Sequence, residues 1–301
     1  MRDAAAETLC ARLCLLTRAA WKDGLPAPLT RSAVRSLYDR GALSGLVLRD
    51  GTDTPSALLE RARALLTRTS EVYDLLKAYR SLGYRTLLPE DRTWPTALLV
   101  LGAQMPLFLF YRGDISLLDG RRVAVAGSRD ISAQTRALAR RVGEAMAGEG
   151  ITMVCGGARG VDSAAQEGLL RAGGRLILVP ATPAKDHLLK PLLQDALQEN
   201  RLLLLSDALP DERFTPQRAL ARNHFIYTLG AAALVLAARE GTGGSWSGAT
   251  ASLKRDYAPV FVPAQEMSPD QTGCRALMTL GAKAFSVDAE EPLAGQILAQ
   301  R

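Results

Sequence analysis

Along the chain, the spacing of apolar positions changes near residue 95. Before it, apolar residues recur at helical intervals. Residues 7–21 carry that period until Gly24-Leu25-Pro26-Ala27-Pro28 breaks it. Thr30 is placed as the N-cap of a helix reaching about Arg40. A second break over residues 50–55 precedes an amphipathic stretch from Ser56 to about Leu82, read as one long helix or two. Gly83 stands where a glycine ends a helix, and residues 84–87 read as a short strand. The first part of the chain is therefore predicted to be a small, mainly helical domain.

Beyond about residue 120 the pattern alternates. Short apolar runs at 123–126, 151–154, 176–179, 202–205, 232–236 and 260–262 predict six strands. Between the first three lie helical faces: Leu138, Val142, Ala145 and Met146, then Ala164, Ala165, Gly168, Leu169 and Ala172. Leu188, Leu189, Leu192, Leu193 and Leu197 mark a third helix. Strands that are apolar throughout, separated by amphipathic helices, predict a parallel sheet covered on both faces, a doubly wound α/β domain.

Composition adds little to this. The 301 residues are 48% hydrophobic and 23% charged, which excludes a disordered or collagen-like chain. No apolar run approaches the ~18–20 residues of a membrane span. The first 18 residues do not read as a signal peptide. Cys10, Cys14, Cys155 and Cys274 lack paired metal spacing, so a reduced, cytoplasmic protein is expected. The formal charge is +6, and 31 of the 37 basic residues are Arg. Residues 1–95 carry 15 basic and 11 acidic groups, while 96–301 carry 22 and 20. A surplus so spread does not by itself identify a partner.

Placement is more informative. Ligands of open parallel sheets bind beyond the carboxyl ends of the strands. The residues expected there are Gly127-Ser128-Arg129, Gly156-Gly157-Ala158-Arg159-Gly160-Val161-Asp162, Ser206-Asp207 and Gly243-Gly244-Ser245. Glycine turns bring backbone amides close to an anion, and Arg129 and Arg159 add planar cations, so two adjacent strand ends describe a phosphate-binding rim. Asp162 is expected to cap the helix that follows, with a ligand contact as the other reading. Arg222 and Asn223 lie on a helix before the fifth strand. Arg222 either faces the rim or is solvated, and Asn223 is expected to pin loops. His187 and His224 have no partner at metal spacing, and no metal or cofactor is expected. Neither G-x-S-x-G, G-x-G-x-x-G nor a P-loop occurs. Cys155 is expected in the core rather than as a nucleophile.

At these residues the sequence resembles the DprA/Smf family of DNA-processing proteins. Glu90-Asp91-Arg92-Thr93-Trp94-Pro95, then residues 106–113 (PLFLFYRG), then residues 123–129 (VAVAGSR) are similar to its "YP..L", "P..L.Y.G" and "VGSR" series. Residues 155–162 are similar to "SGLARGID", with Cys155 and Gly157 at variant positions, and residues 222–226 to "RNRII", with His224 for the second Arg. Ser206-Asp207 stands for Ser-Glu, and Gly244-Ser245-Trp246 for "SGSL". Residues 273–282 resemble "G.N.LI..GA" with Arg275 for Asn. Ala238 stands where an acidic residue is usual, and the segment after Val179 lacks "YP..N".

The resemblance implies an extended Rossmann-like domain over 86–290 that binds single-stranded DNA. It also implies a helical accessory domain over 1–85, similar to SAM or helix-hairpin-helix modules, with 291–301 as a tail. Many members carry a C-terminal winged helix, which is not expected in a sequence of this length. By motif, Arg129 and Arg159 are phosphate contacts, and Gly127, Ser128, Gly156, Gly160 and Arg222 build the pocket. The full expected set also holds Gly157, Asp162, Asn223, Gly244 and Ser245. Implied partners are single-stranded DNA, the recombinase RecA and a second copy of the chain, with no membrane and no catalytic residue. Two other readings stay open. One is a nucleotide-ligand sensor on the same domain. The other is an enzyme of phosphoribohydrolase type, echoed by Gly241–Ser245 but lacking that loop's Pro-Gly-Gly and Glu.

Overall fold

The computed structural model describes residues 4–264 and 268–298. The chain divides into two compact units: Met1–Trp94 with Gly102–Tyr111 and Asp207–Pro210, and Pro95–Leu101 with Arg112–Ser206 and Asp211–Arg301.

The first unit contains helices α1 (Ala4–Leu16), α2 (Arg31–Asp39), α3 (Ser56–Leu66) and α4 (Thr69–Ser81). Between α2 and α3 lies a two-residue antiparallel pair, β1 (Leu43–Ser44) with β2 (Val47–Leu48). After α4, β3 (Arg85–Leu87) pairs antiparallel with β4 (Leu109–Gly113), Thr86 facing Phe110. Thr30 caps α2 as expected, its hydroxyl accepting the Ala33 amide at 3.2 Å. The stretch from Ser56 resolves into two helices. The helix predicted over 7–21, however, stops at Leu16. There the Thr17 hydroxyl donates back to the Leu13 carbonyl at 2.7 Å and accepts the Ala19 amide at 3.1 Å, and Ala20 turns the chain at φ 48°. Leu15, Leu37, Leu59, Leu65 and Leu107 share one buried cluster.

Arginines staple this unit. Arg68 is fully buried under Trp21, its guanidinium donating to the carbonyls of Leu65 (3.2 Å), Ala19 (2.5 Å) and Cys14. Three others hold one segment. Arg12 donates to the Leu107 carbonyl, Arg31 to Gln104, and Arg35 to both Gly102 and Met105, each at 2.7–2.8 Å. Much of the basic surplus of the N-terminal region thus binds carbonyls of its own unit, which a flexible ammonium serves less well than a planar fork.

The second unit holds seven parallel strands: β5 (Arg122–Gly127), β6 (Thr152–Cys155), β7 (Leu176–Leu178), β8 (Leu202–Ser206), β9 (Ala232–Ala237), β10 (Val260–Pro263) and β11 (Lys283–Phe285). Their order is β11-β10-β9-β5-β6-β7-β8, and the ladders between neighbours are parallel. The helices are α5 (Ala133–Gly148), α6 (Val161–Arg171), α7 (Ala184–His187), α8 (Pro191–Gln198), α9 (Pro216–Leu229), α10 (Gly243–Arg255), α11 (Thr272–Thr279) and α12 (Leu293–Leu298). This is the doubly wound α/β architecture the pattern predicts, and the six predicted strands are all present. α5 and α6 approach so closely that a Cβ at Gly168 would stand 2.1 Å from the Arg140 carbonyl oxygen. The third predicted helix starts later than its apolar face: Pro191 opens α8, while Leu188 falls buried in the connection after α7 and Leu189 is 75% exposed. β1, β2, β4 and β11 are strands beyond those predicted.

Candidate functional site

Chain order in the sheet reverses at β5. From it the chain winds outward through β6, β7 and β8, then returns to place β9 on the other side. The helices on either side of such a point diverge and leave a crevice beyond the strand ends. A cleft of about 790 Å³ lies there, between the turn after β5 and the start of α10. A second cavity of about 500 Å³ lies between the turns after β6 and β7. Arg129, Ala158, Phe214 and Arg222 line both.

Two glycine turns interlock to make the wall between them. The Val161 amide, opening α6, donates to the Ser128 carbonyl at 3.1 Å. Gly160 allows this at φ 93°, where a Cβ would stand 2.2 Å from that same oxygen. Gly127 packs on the Val161 side chain, which a Cβ would meet at 2.3 Å. Ser128 ties back to β9 by donating its amide to the Ala237 carbonyl at 2.9 Å.

Asp162 differs from its expected role. Gly160, not Asp162, is the N-cap of α6. Asp162 is buried one residue inside the helix, and its Oδ2 accepts the amides of Gly156 (3.1 Å) and Ala158 (3.2 Å). It therefore shapes the turn from below. Burial pushes its carboxyl up, opposed by Arg222 and by the two amides. The first amides of α6 are also engaged internally, Val161 with Ser128 and Ser163 with Ala158. The Val161 and Ser163 amides are therefore not open to an anion.

Arg222 is not a solvated residue. It is buried on α9 directly beneath Gly156, where a Cβ would fall 1.6 Å from its Nη1. Asn223 does pin a loop: its Nδ2 donates to the Gly244 carbonyl at 3.2 Å, and Tyr227 donates to that of Ser245 at 3.4 Å. Gly243, Gly244 and Ser245 bring the amide end of α10 to the first cleft, with Thr242 supplying no side-chain cap. Arg129 and Arg159 are exposed and both line the second cavity, with Arg129 also over the Phe214 ring at 5.7 Å. Of the strand-end residues, Asp207 lines neither cavity and takes an ion pair from Arg31 at 2.6 Å.

Cys155 is in the core, and burial with Asp162 nearby pushes its thiol up to about 12. His224 packs edge-on to Tyr257. His187 is buried at the floor of the second cavity, with Nε2 2.7 Å from the Thr182 hydroxyl. Burial, with Lys190 and Arg222 near, pushes its imidazole down to about 4, so it is neutral at physiological pH. Its approach has a cause in the sequence. A Cβ at Gly157 would stand 2.9 Å from the imidazole Cε1, so this glycine, one of the two departures from the family motif, admits the ring. Motif reading did not place Thr182, His187, Lys190 or Phe214 at the site: His187 ends the four-residue α7, Thr182 and Lys190 flank that helix, and Phe214 lies in a loop, none of them in a periodic segment. Among the described residues no cluster of three His, Cys, Asp or Glu has metal-site geometry, and no helix is long and apolar enough to cross a membrane.

Comparisons with known proteins agree on what this arrangement resembles. The family described as DNA recombination-mediator protein A matches residues 85–294. A DNA processing protein DprA of Streptococcus pneumoniae is 30% identical over 181 residues, covering 59% of this chain and 63% of that protein. A relative from Mycobacterium tuberculosis is 28% identical over 242 residues, 74% of this chain and 59% of its own. The chain thus spans about three fifths of the length of the curated relatives it matches. Among solved structures, DNA processing protein A of Streptococcus pneumoniae shares the fold with a TM-score of 0.70 and 22% identity, over 100% of this chain and 99% of that one. A structure of DNA processing protein A from Helicobacter pylori, described for its single-stranded DNA binding mode, has a TM-score of 0.57 and 28% identity, over 68% of this chain and 92% of that one.

Proposed function

The chain belongs to the DNA recombination-mediator protein A family, and from that premise we propose that it binds single-stranded DNA across the glycine and arginine rim of its second unit. The observation that supports this most directly is the pair of exposed guanidinium groups, Arg129 and Arg159. They follow adjacent strands β5 and β6 and line one cavity, held in register by the interlocked turns at Gly127 and Gly160. Guanidinium forks suit phosphate oxygens, and exposed cations lose little by desolvation when they meet a strand. The amide end of α10 adds a second electropositive element along the first cleft.

The role is binding rather than catalysis. The buried groups near the rim are placed to hold loops: Asp162 accepts amides, Asn223 anchors Gly244, and the raised Cys155 thiol is a poor nucleophile. The finer expectations, handing the strand to RecA and working as a homodimer, belong to this proposal through the family and rest on no contact described above. So do the assignment of 1–85 as an accessory domain and 86–290 as the DNA-binding one.

The test is a fluorescence-anisotropy titration with a labelled oligonucleotide over a series of salt concentrations. Each phosphate neutralised on a single strand contributes about 0.7 to the slope of log affinity against log salt, so the Arg129→Ala, Arg159→Ala double variant should lower that slope by about 1.4. Absence of binding at low salt, or a slope unchanged in the double variant, sinks the reading.

A further inference from the structure

We infer that Arg121 and Arg175 form a phosphate clamp at the opposite end of the sheet from the rim, beside the amino ends of β5, β6 and β7. The end of α5 presents them. Gly150, at φ 64°, closes that helix: its amide donates to the Ala147 carbonyl at 3.1 Å, and the Ile151 amide donates to that of Met146 at 2.8 Å. The carbonyls of Glu149 and Gly150 lie beyond these bonds, and each takes one guanidinium. Arg121 donates through Nη2 to Glu149 at 3.0 Å, and Arg175 through Nη2 to Gly150 at 2.6 Å. The ladder fixes where the two side chains start. The Thr152 amide donates to the Arg121 carbonyl and the Met153 amide to that of Arg175, both at 2.9 Å. The two arginines therefore stand on either side of β6, two strand spacings or roughly 10 Å apart. Bonds to consecutive carbonyls of one turn draw their guanidinium groups together from there.

Capping the helix does not account for both. A helix end carries about half a negative charge, and two guanidinium groups bring two positive ones. The Glu149 carboxylate is engaged elsewhere, accepting the Leu293 and Ala294 amides at 2.8 and 2.7 Å. Among the described residues neither arginine has an acidic partner within ion-pair distance. Each carbonyl bond uses one of the five donors of a guanidinium, and both side chains are exposed. Two cations held at one turn with donors unspent suit a single anion between them. A phosphate group offers oxygens to a fork on each side, whereas the two oxygens of a carboxylate are met by one fork. The phosphate comes either from the backbone of a nucleic-acid strand or from a free phosphate, and the clamp stands independently of the rim in both cases.

The experiment replaces both arginines by glutamine, whose amide still donates to a carbonyl but carries no charge. Two measurements read it: a thermal-shift titration with inorganic phosphate against chloride at equal ionic strength, and the anisotropy titration of a labelled oligonucleotide over a series of salt concentrations. Phosphate should raise the melting temperature of the unmodified chain and of the Arg129→Ala, Arg159→Ala variant, but not that of Arg121→Gln, Arg175→Gln. With the oligonucleotide, the glutamine pair should lower the slope of log affinity against log salt by about 0.7, the share of the one phosphate that both forks hold. Arg121→Lys, Arg175→Lys keeps the charge and should retain that slope. A phosphate response that glutamine abolishes, with the slope unchanged, upholds the clamp and makes a free phosphate its ligand. The same response in a chain that binds no strand upholds the clamp and overturns the strand-binding reading. No phosphate response together with an unchanged slope, or responses that survive the glutamine pair, overturn the clamp and leave strand binding at the rim intact.

Discussion

Gly160 joins the two turns of the rim, and replacing it by alanine tests whether that joint is built as described. Two costs add at this position. Its backbone, φ 93° and ψ −126°, lies where side-chain-bearing residues are strained by about 1–3 kcal/mol. The new Cβ would also stand 2.2 Å from the Ser128 oxygen and 2.6 Å from that of Arg129. Both are backbone atoms of a packed turn, and forcing such contacts apart costs about 1–3 kcal/mol. The sum is about 2–6 kcal/mol. Gly241→Ala separates the terms: φ is 71° there, but nothing lies within 4 Å of the added carbon, leaving a strain of about 1–2 kcal/mol. Urea unfolding of both variants, followed by the fluorescence of Trp246 with Trp21 and Trp94 replaced by phenylalanine, reports the second unit alone. Gly160→Ala should lose at least about 1 kcal/mol more than Gly241→Ala. It should also weaken strand binding, since Ser128 and Val161 must part and Arg129 and Arg159 lose their register. Equal destabilisation of the two variants, within the ~0.5 kcal/mol that independent sites show, would refute the interlock.

Other outcomes follow from the same geometry. His187 has a depressed folded value, so its stabilisation is complete above the unfolded value of about 6.5 and is lost as pH falls from there toward about 4, an acid-side loss of about 3 kcal/mol. His187→Phe should flatten that limb in urea midpoints measured across the range. Arg68→Ala should cost the first unit about 3 kcal/mol or more, because the carbonyls of Cys14 and Ala19 stay buried without the donors they now have. Trp21 fluorescence during denaturation reads it, and Arg68→Lys should restore only part, one ammonium replacing a fork. Asn223→Ala should cost about 1 kcal/mol by releasing Gly244 and should raise amide exchange at the start of α10.

The sequence by itself determined the α/β class and the elements that carry it. Unbroken apolar runs such as residues 202–205 have two buried faces wherever they lie, and a run of that kind has few other homes than a covered parallel sheet. Caps and turns were equally legible at Thr30 and Gly83, because a hydroxyl or a missing Cβ acts on its immediate neighbours. The glycine and arginine turns were legible as strand-end turns because each directly follows an apolar run. What the tertiary structure decided is what each of them holds. Asp162 and Arg222 border the first cleft, yet one also accepts two amides and the other lies buried beneath Gly156, since a glycine turn needs support from below as well as an open face above. Arg12, Arg31 and Arg35 read as undirected charge because their carbonyl partners lie 67 to 95 residues away. The second cavity depends on Gly157 lacking a side chain that would displace an imidazole 30 positions later, a distance that neither period nor motif can span.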